Sequence, residues 1–293
     1  MEIAASANDA PALRVRGYWR TVGYRLRYDY VTLFFALVIL LIALSAIFAP
    51  LLAPFDPLKT SMAYRLKPVG FRSFLLGTDE LGRDMLSRLV YGGRMSLLMG
   101  LTPVVLATII GGTLGVVAGF VGGSINMLIM RVIDIFYAFP SVLLAVAISG
   151  TMGGGMSNGL IALTLVFIPP LCRIAETAAT QVRGLDFVEA ARASGASTRS
   201  IILTHVLGNV LAPVFIYASS LISVAILLAA GLSFLGLGVE PPTPDWGLML
   251  STLRQAIYVQ PYACALPGLA IFITSLSFNL VSDGLRQAMD VRI

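Results

Sequence analysis

Long apolar runs separated by short polar segments set the pattern of this chain. The first run, 31–53, is longer than the roughly 20 apolar residues that a helix needs to cross a bilayer. Five later runs of similar character follow, at 96–120, 125–149, 160–180, 210–235 and 264–281. The pattern therefore predicts an all-α membrane protein with six membrane-spanning helices.

The charges beside the first run predict how the chain is oriented. Arginines dominate the segment before it: Arg14, Arg16, Arg20, Arg25 and Arg27. Such residues favour the cytoplasmic side of a membrane. The run is too long for the apolar part of a cleaved signal peptide, so we expect it to remain as the first helix. Residues 1–30 are then a cytoplasmic tail, and six spans return the C-terminal tail, 286–293, to the same side.

Two polar stretches, 54–94 and 236–262, fall on the predicted outer side. The first holds more basic than acidic residues, which the positive-inside preference disfavours there, so its placement rests on the count of later spans. For its charged cluster we favour a solvated helix with ion pairs four residues apart. The cluster consists of Asp79, Arg83, Asp84 and Arg88.

Composition excludes several classes of protein. Of the 293 residues 57% are hydrophobic and only 12% are charged, which excludes a soluble globular protein and makes membrane lipid the expected surrounding. The basic residues form no run interleaved with aromatics, so nucleic acid is not an expected partner. Cys172 and Cys264 both lie in apolar runs and are predicted to be small core residues.

Prolines inside the spans suggest a bundle with moving parts, and the spans also contain charged residues. Each internal proline removes a backbone hydrogen bond and is expected to bend its helix: Pro103, Pro140, Pro169, Pro170, Pro213 and Pro267. Two ion pairs are predicted within single helices, Arg131 with Asp134 and Arg173 with Glu176, because both have i,i+3 spacing. A structural role is favoured for these pairs, and a role in a gate or pathway is the alternative.

The longest polar interruption in the C-terminal half is the loop 183–209. Asp186 is a candidate N-cap with Glu189 in capping-box position, and Gly195 stands where a helix would end in a left-handed turn. These signals predict a short helix over 187–194, rich in small residues. A second helix is predicted after Ser197, and the adjacent pair 208–209 is expected to interrupt it.

The loop resembles the EAA loop of permease subunits in ABC importers, in the run Glu189-Ala190-Ala191, in Gly195 and in the stretch that starts at His205. Gly208 stands where that pattern usually has a proline. The segments 75–97, 231–250 and 266–290 are similar to oligopeptide, dipeptide and nickel permeases. The resemblance implies a type I importer permease fold, with a transmembrane domain of five helices over 95–285.

The resemblance also implies partners. A second, homologous permease would complete the pathway, an external solute-binding protein would deliver the substrate, and two ATPases would bind ATP and Mg. The ATPases would dock on the loop through Asp186, Glu189, Ala190, Ala191, Arg192, Gly195, Ala196, Ser197 and His205. The expected location is the bacterial inner membrane and the favoured substrate is a short peptide. Nickel, glutathione, an opine or a sugar are the alternatives.

Some chemistry is missing from the sequence. There is no G-x-x-x-x-G-K-[ST] motif and His205 is the only histidine, so neither a phosphate-binding loop nor an H-E-x-x-H zinc site is predicted. We therefore expect no catalytic residue, no metal and no cofactor in this chain, and the substrate-binding residues are not predicted. A stand-alone secondary transporter or channel is the rival, and a membrane enzyme is a distant third.

Overall fold

The computed structural model describes residues 18–289, and within that range it contains helices and no strand. Arg14, Arg16 and the rest of 1–17 in the predicted N-terminal tail lie outside the described residues, as do 290–293 of the predicted C-terminal tail. The α-helices are α1 (Tyr18–Tyr28), α2 (Tyr30–Ile47), α3 (Ala49–Leu52), α4 (Met85–Val121), α5 (Gly123–Tyr137), α6 (Ser141–Met152), α7 (Met156–Arg183), α8 (Asp186–Ala193), α9 (Thr198–Ile201), α10 (Leu207–Phe234), α11 (Trp246–Leu253) and α12 (Pro261–Met289).

The described helices agree with six spans. Five helical segments are long and apolar enough to cross a bilayer: α2, α4, α7, α12 and the continuous stretch Thr198–Phe234. The pair α5 and α6 makes the sixth if the two helices count as one span. The spans are mostly longer than predicted, since α7 and α12 extend beyond 160–180 and 264–281 at both ends.

The third span is not the continuous helix predicted over 125–149. It bends by 88° between α5 and α6, at Pro140. Proline cannot donate a backbone hydrogen bond and disfavours helical backbone at the residue before it, which here is Phe139. The other internal prolines lie within helices that continue through them: Pro103, Pro169, Pro170, Pro213 and Pro267.

The predicted boundary between an external segment 54–94 and the membrane domain falls inside α4, which already begins at Met85. The charged cluster is not the solvated helix that was predicted, although its pair Asp79–Arg83 has the predicted spacing of four residues. Asp79 lies in a buried loop, where it pairs with the Nε atoms of Arg83 at 2.6 Å and Arg88 at 3.2 Å. Asp84 caps α4 by accepting from the Ser87 amide at 2.8 Å. Pairing with two arginines offsets the cost of burying the Asp79 carboxylate.

The predicted outer loop 236–262 contains α11, which packs on α4. The Trp246 ring lies over Gly92 and Gly93, and its Nε1 donates to the Leu89 carbonyl at 2.8 Å. Asp245 caps α11 and accepts from Ser96 Oγ at 2.6 Å. Burial raises the pKa of the Asp245 carboxyl above its ordinary value.

A row of glycines brings α4 and α7 into contact. Gly111, Gly115 and Gly119 lie one turn apart on α4, and they face the backbone of α7 at Ile168, Cys172 and Glu176 respectively. Equal steps in the same direction along both helices show that the two helices run parallel. In lipid there is no hydrophobic driving force between helices, so their association depends on such close packing of small residues.

This packing predicts that Gly115→Ala destabilises the protein. An added methyl group would overlap the Cys172 carbonyl oxygen and lie 2.7 Å from Ala175 Cβ, so the helices would have to separate. Overpacking of this kind costs about 1–3 kcal/mol. The matched control is Gly112→Ala, whose methyl would meet only Val214 Cγ1 at 4.0 Å. The free energy of unfolding, measured by denaturant titration in detergent, should fall for the first variant alone; equal losses would contradict the packing.

Candidate functional site

The polar loop holds a short helix, α8, which starts one residue earlier than predicted. Its N-cap is Leu185, whose extended backbone places its carbonyl to accept from the amides of Val188 at 2.9 Å and Glu189 at 3.3 Å. Asp186 is therefore the first helical residue and forms no side-chain cap, and Glu189 lies one position beyond the capping-box place. Both carboxylates remain in the first turn, where the helix dipole favours negative charge.

The predicted left-handed turn at Gly195 is confirmed, with φ of +79°. Two backbone bonds close the helix: the Gly195 amide donates to the Arg192 carbonyl at 2.9 Å, and the Ala196 amide donates to the Ala191 carbonyl at 3.1 Å. This pair of bonds is a Schellman motif, which satisfies carbonyls that a helix end leaves without partners. The turn therefore gives α8 a fixed end.

One side of α8 is anchored to the helix bundle. Val188 is fully buried in the main core, which also contains Ile201 and Val206. The Arg192 guanidinium lies 5.1 Å from the centre of the Phe120 ring, near the end of α4. Arginine binds an aromatic face through the charge distribution of the ring. The helix is thus attached both to the main core and to α4.

The other side of α8 is open. Most of the residues predicted to contact an ATPase are exposed, and Ala191 is half-buried against the core. The exposed residues are Asp186, Glu189, Ala190, Arg192, Gly195, Ala196, Ser197 and His205. The structure therefore gathers the predicted residues into one protrusion, with acidic groups at its start and small side chains along it.

The second helix of the loop begins as predicted but is not interrupted. Ser197 caps it by accepting from the Ser200 amide at 3.3 Å. The helix then runs from Thr198 to Phe234, through a π-helical segment at Ile202–Val206 that includes His205. The adjacent residues 208 and 209 lie inside it, because one glycine lowers helix stability by only about 1 kcal/mol. The loop is therefore joined directly to a spanning helix.

A charged pair that the sequence did not predict lies within the spans. Arg173 on α7 donates to Asp134 on α5, with 2.5 Å between Nη2 and Oδ1. The predicted pairs within single helices are wrong, because Glu176 instead accepts from Asn126 Nδ2 at 2.8 Å. The i,i+3 spacing was compatible with pairing along one helix, but the contact between α5 and α7 gives Asp134, Arg173 and Glu176 partners across the helices.

The last features to place are the two cysteines and any group of metal-binding side chains. Cys172 and Cys264 are free thiols and both are buried, as predicted. Among residues 18–289, no group of three or more His, Cys, Asp or Glu side chains could hold a metal ion.

The fold is that of a multi-pass helical membrane protein, and comparison with known proteins defines its class and family. The family model described as "Binding-protein-dependent transport system inner membrane component" matches residues 111–293. The model described as "N-terminal TM domain of oligopeptide transport permease C" matches residues 17–68. The chain belongs to the family of binding-protein-dependent inner membrane transport components, and it is a multi-pass protein of the inner membrane.

Curated relatives cover nearly the whole chain. The di/tripeptide transport system permease protein DppC of Pseudomonas aeruginosa is 46% identical over 88% of this chain and 86% of its own length. The dipeptide permease protein DppC of Alkalihalophilus pseudofirmus is 41% identical over 94% of this chain and 90% of its own length. The glutathione permease protein GsiD of Pectobacterium atrosepticum is 38% identical over 95% of this chain and 93% of its own length.

A solved structure has the same fold. Inward-facing MetNI methionine ABC transporter chains superpose with a TM-score of 0.57 at 18% identity, over 70% of this chain and 97% of the other. The ABC importer permease fold and the resemblance noted from the loop residues are thereby confirmed.

The left-handed turn predicts a specific effect of Gly195→Ala. Nothing lies within 4 Å of the position its methyl would take, so any cost arises from the positive φ, at about 1–2 kcal/mol. Gly195→Asn should cost less, because asparagine tolerates this conformation. Gly208→Ala, equally open but helical, should be neutral or stabilising. Amide hydrogen exchange over 186–197 measures local stability, and equal protection in all three variants would contradict the prediction.

Proposed function

We propose that this chain is a permease subunit of an ABC importer for short peptides, in which it forms half of the translocation pathway. Membership in a binding-protein-dependent family supports the importer and argues against a stand-alone channel. The di/tripeptide and dipeptide permeases among its relatives support the substrate. Glutathione, itself a small peptide, is the second candidate because of the relative named for it.

The observation that carries this function is the form of α8. A helix that is anchored by Val188 and Arg192, and otherwise exposed, is suited to be held by another protein. Its exposed small residues, such as Ala190 and Ala193, allow a partner's backbone to approach closely. We assign α8 as the coupling helix that a partner ATPase binds, with ATP and Mg held by that partner.

Several elements meet at one end of the bundle, which supports a cytoplasmic location for α8. Val22 of α1 packs against Ala288 and Met289 at the end of α12, beside Ala212 and Ile216 near the start of α10. The chain enters α10 directly from the loop that contains α8. Arginines cluster at this same end, at positions 20, 25 and 27 of α1, and basic residues favour the cytoplasmic side.

The anchoring suggests how force passes from the ATPases. When ATP closes the ATPase dimer, each coupling helix moves with the subunit that holds it. Because Val188 lies in the main core and Arg192 lies over Phe120, movement of α8 pulls on α4 and α7, which their glycine contact joins into one body. ATP then biases a bundle with two states through the contacts at α8. A second permease and a solute-binding protein complete this importer.

Two substitutions on the exposed side of α8 test the coupling role. Glu189→Lys reverses a charge and Ala190→Trp adds bulk, and neither side chain is buried. Both variants should insert and fold normally, yet lose most of the peptide-stimulated ATPase activity of the reconstituted complex. Loss of a dominant interface contact costs about 2 kcal/mol or more, which corresponds to roughly thirtyfold weaker binding of the ATPase.

The control is Asp283→Lys, an exposed charge reversal on α12 outside the loop. It should retain stimulated ATPase activity. If Glu189→Lys and Ala190→Trp retained activity as well as the control does, α8 would not be the coupling helix.

A further inference from the structure

The Arg173–Asp134 pair is unusual because it is charged, half-exposed and located within the apolar spans. Each side chain is 48% exposed. At 1.5 Å per residue, Arg173 lies about 15 Å from the end of α7 and Asp134 about 16 Å from the start of α5. Those two ends are on the same side, since Gly122, just before α5, lies against Arg183. Both residues therefore lie about three turns inside their helices, measured from the same end of the bundle.

The side chain of Arg173 extends away from the nearer membrane surface. Its guanidinium lies 5.0 Å from the centre of the Tyr137 ring, and Tyr137 is one turn further from that surface than Asp134. This direction follows from the tilt of helical side chains toward the helix N-terminus. An arginine that snorkels would extend the opposite way. Charged groups within spans are costly unless they face the bundle interior or a water-filled cavity.

The break between α5 and α6 gives a second, independent indication. Ala138, Phe139 and Pro140 are all exposed, directly after Tyr137. Non-helical backbone at membrane depth is tolerated only where protein covers it or where it lines a water-filled cavity. A cavity of about 260 Å³ lies at this break, lined by residues that include Tyr137, Ser141, Phe167 and Tyr217.

We propose that the Asp134–Arg173 pair lines the translocation pathway and receives the carboxylate of a peptide passing through it. This inference rests on the proposed function, and it names the substrate-contacting residues of this subunit. The pathway surface, defined as Asp134, Arg173, Tyr137 and the break at Pro140, then faces water rather than lipid.

The chemistry suits a carboxylate. The planar guanidinium of Arg173 can bind a carboxylate through two parallel hydrogen bonds. It would release the Asp134 carboxylate and form these bonds with the carboxylate of the peptide. Arg131 is exposed one turn before Asp134 on α5, and it forms no ion pair within residues 18–289. Arg131 therefore adds a second guanidinium beside the pathway surface. The N-terminus of α6 lies at the cavity beside the break and favours a negatively charged ligand.

Cysteine labelling tests whether the surface faces water. Cys172 and Cys264 are first replaced by alanine, and Arg173→Cys is assembled into the full transporter in membrane vesicles. A charged, membrane-impermeant methanethiosulfonate should modify Arg173→Cys. It should not modify the control Leu37→Cys, which is 52% exposed on α2 and should react only with a lipid-soluble maleimide.

Two labelling results would overturn the proposal. Reaction of Arg173→Cys with the lipid-soluble reagent alone would place the surface against lipid. Reaction only after the complex is dissociated in detergent would make it an interface with a partner subunit.

Uptake tests the carboxylate contact. Arg173→Gln should lower glycyl-leucine uptake at least about tenfold, the size expected when a hydrogen bond to a charged group is lost. Arg173→Lys should restore part of it, and Asp283→Asn should match the wild type. Peptide affinity of the solute-binding protein, measured alone, should not change. Unchanged uptake by Arg173→Gln would overturn the substrate contact.

The two experiments separate the inference from the function on which it rests. A wild-type complex that takes up neither glycyl-leucine nor glutathione would refute the proposed function, while labelling would still decide whether the surface is aqueous. Normal wild-type uptake combined with failed labelling would refute only the inference.

Discussion

The parallel contact between α4 and α7 is the interaction on which the rest of the structure depends. Gly111, Gly115 and Gly119 remove side chains where the α7 backbone approaches, and in lipid such close packing takes the place of a hydrophobic driving force. The other elements are attached to this pair. The chain leaves α4 to form α5, and it leaves α7 to form α8. The predicted coupling helix and the pathway surface are thus built on one body.

This arrangement places two different kinds of surface on the same pair of helices. Cys172 on α7 is buried against the glycines of α4, whereas its neighbour Arg173 points outward to Asp134 on α5. At the end of the pair, Arg192 of α8 lies over Phe120 of α4. Movement imposed at α8 therefore has a short, packed route to the ion pair. The π-helical segment Ile202–Val206 provides a second connection, from the loop into α10.

Local signals were the predictable part of this structure. Apolar runs identified the spans because bilayer thickness sets their length, and Gly195 and Ser197 fulfilled their predicted roles because turns and caps depend on one residue and its neighbours. Some errors were local, such as the N-cap predicted at Asp186, and others arose from contacts between distant elements. Pro140 and Pro103 look alike in sequence, yet only Pro140 breaks a span. Arg173 met an aspartate on another helix, and Asp79 was buried between two arginines.

The central claim is that α8 receives force from an ATPase inside the cell, and site-specific photocrosslinking from position 193 tests it most directly. Ala193 is exposed on α8, and a photoreactive amino acid placed there should crosslink to an ATP-binding subunit in intact cells. ATP binding should alter the yield, while the same group at Leu37 on α2 should give no such product. A crosslink from position 193 to the external solute-binding protein, with none to an ATPase, would contradict the account.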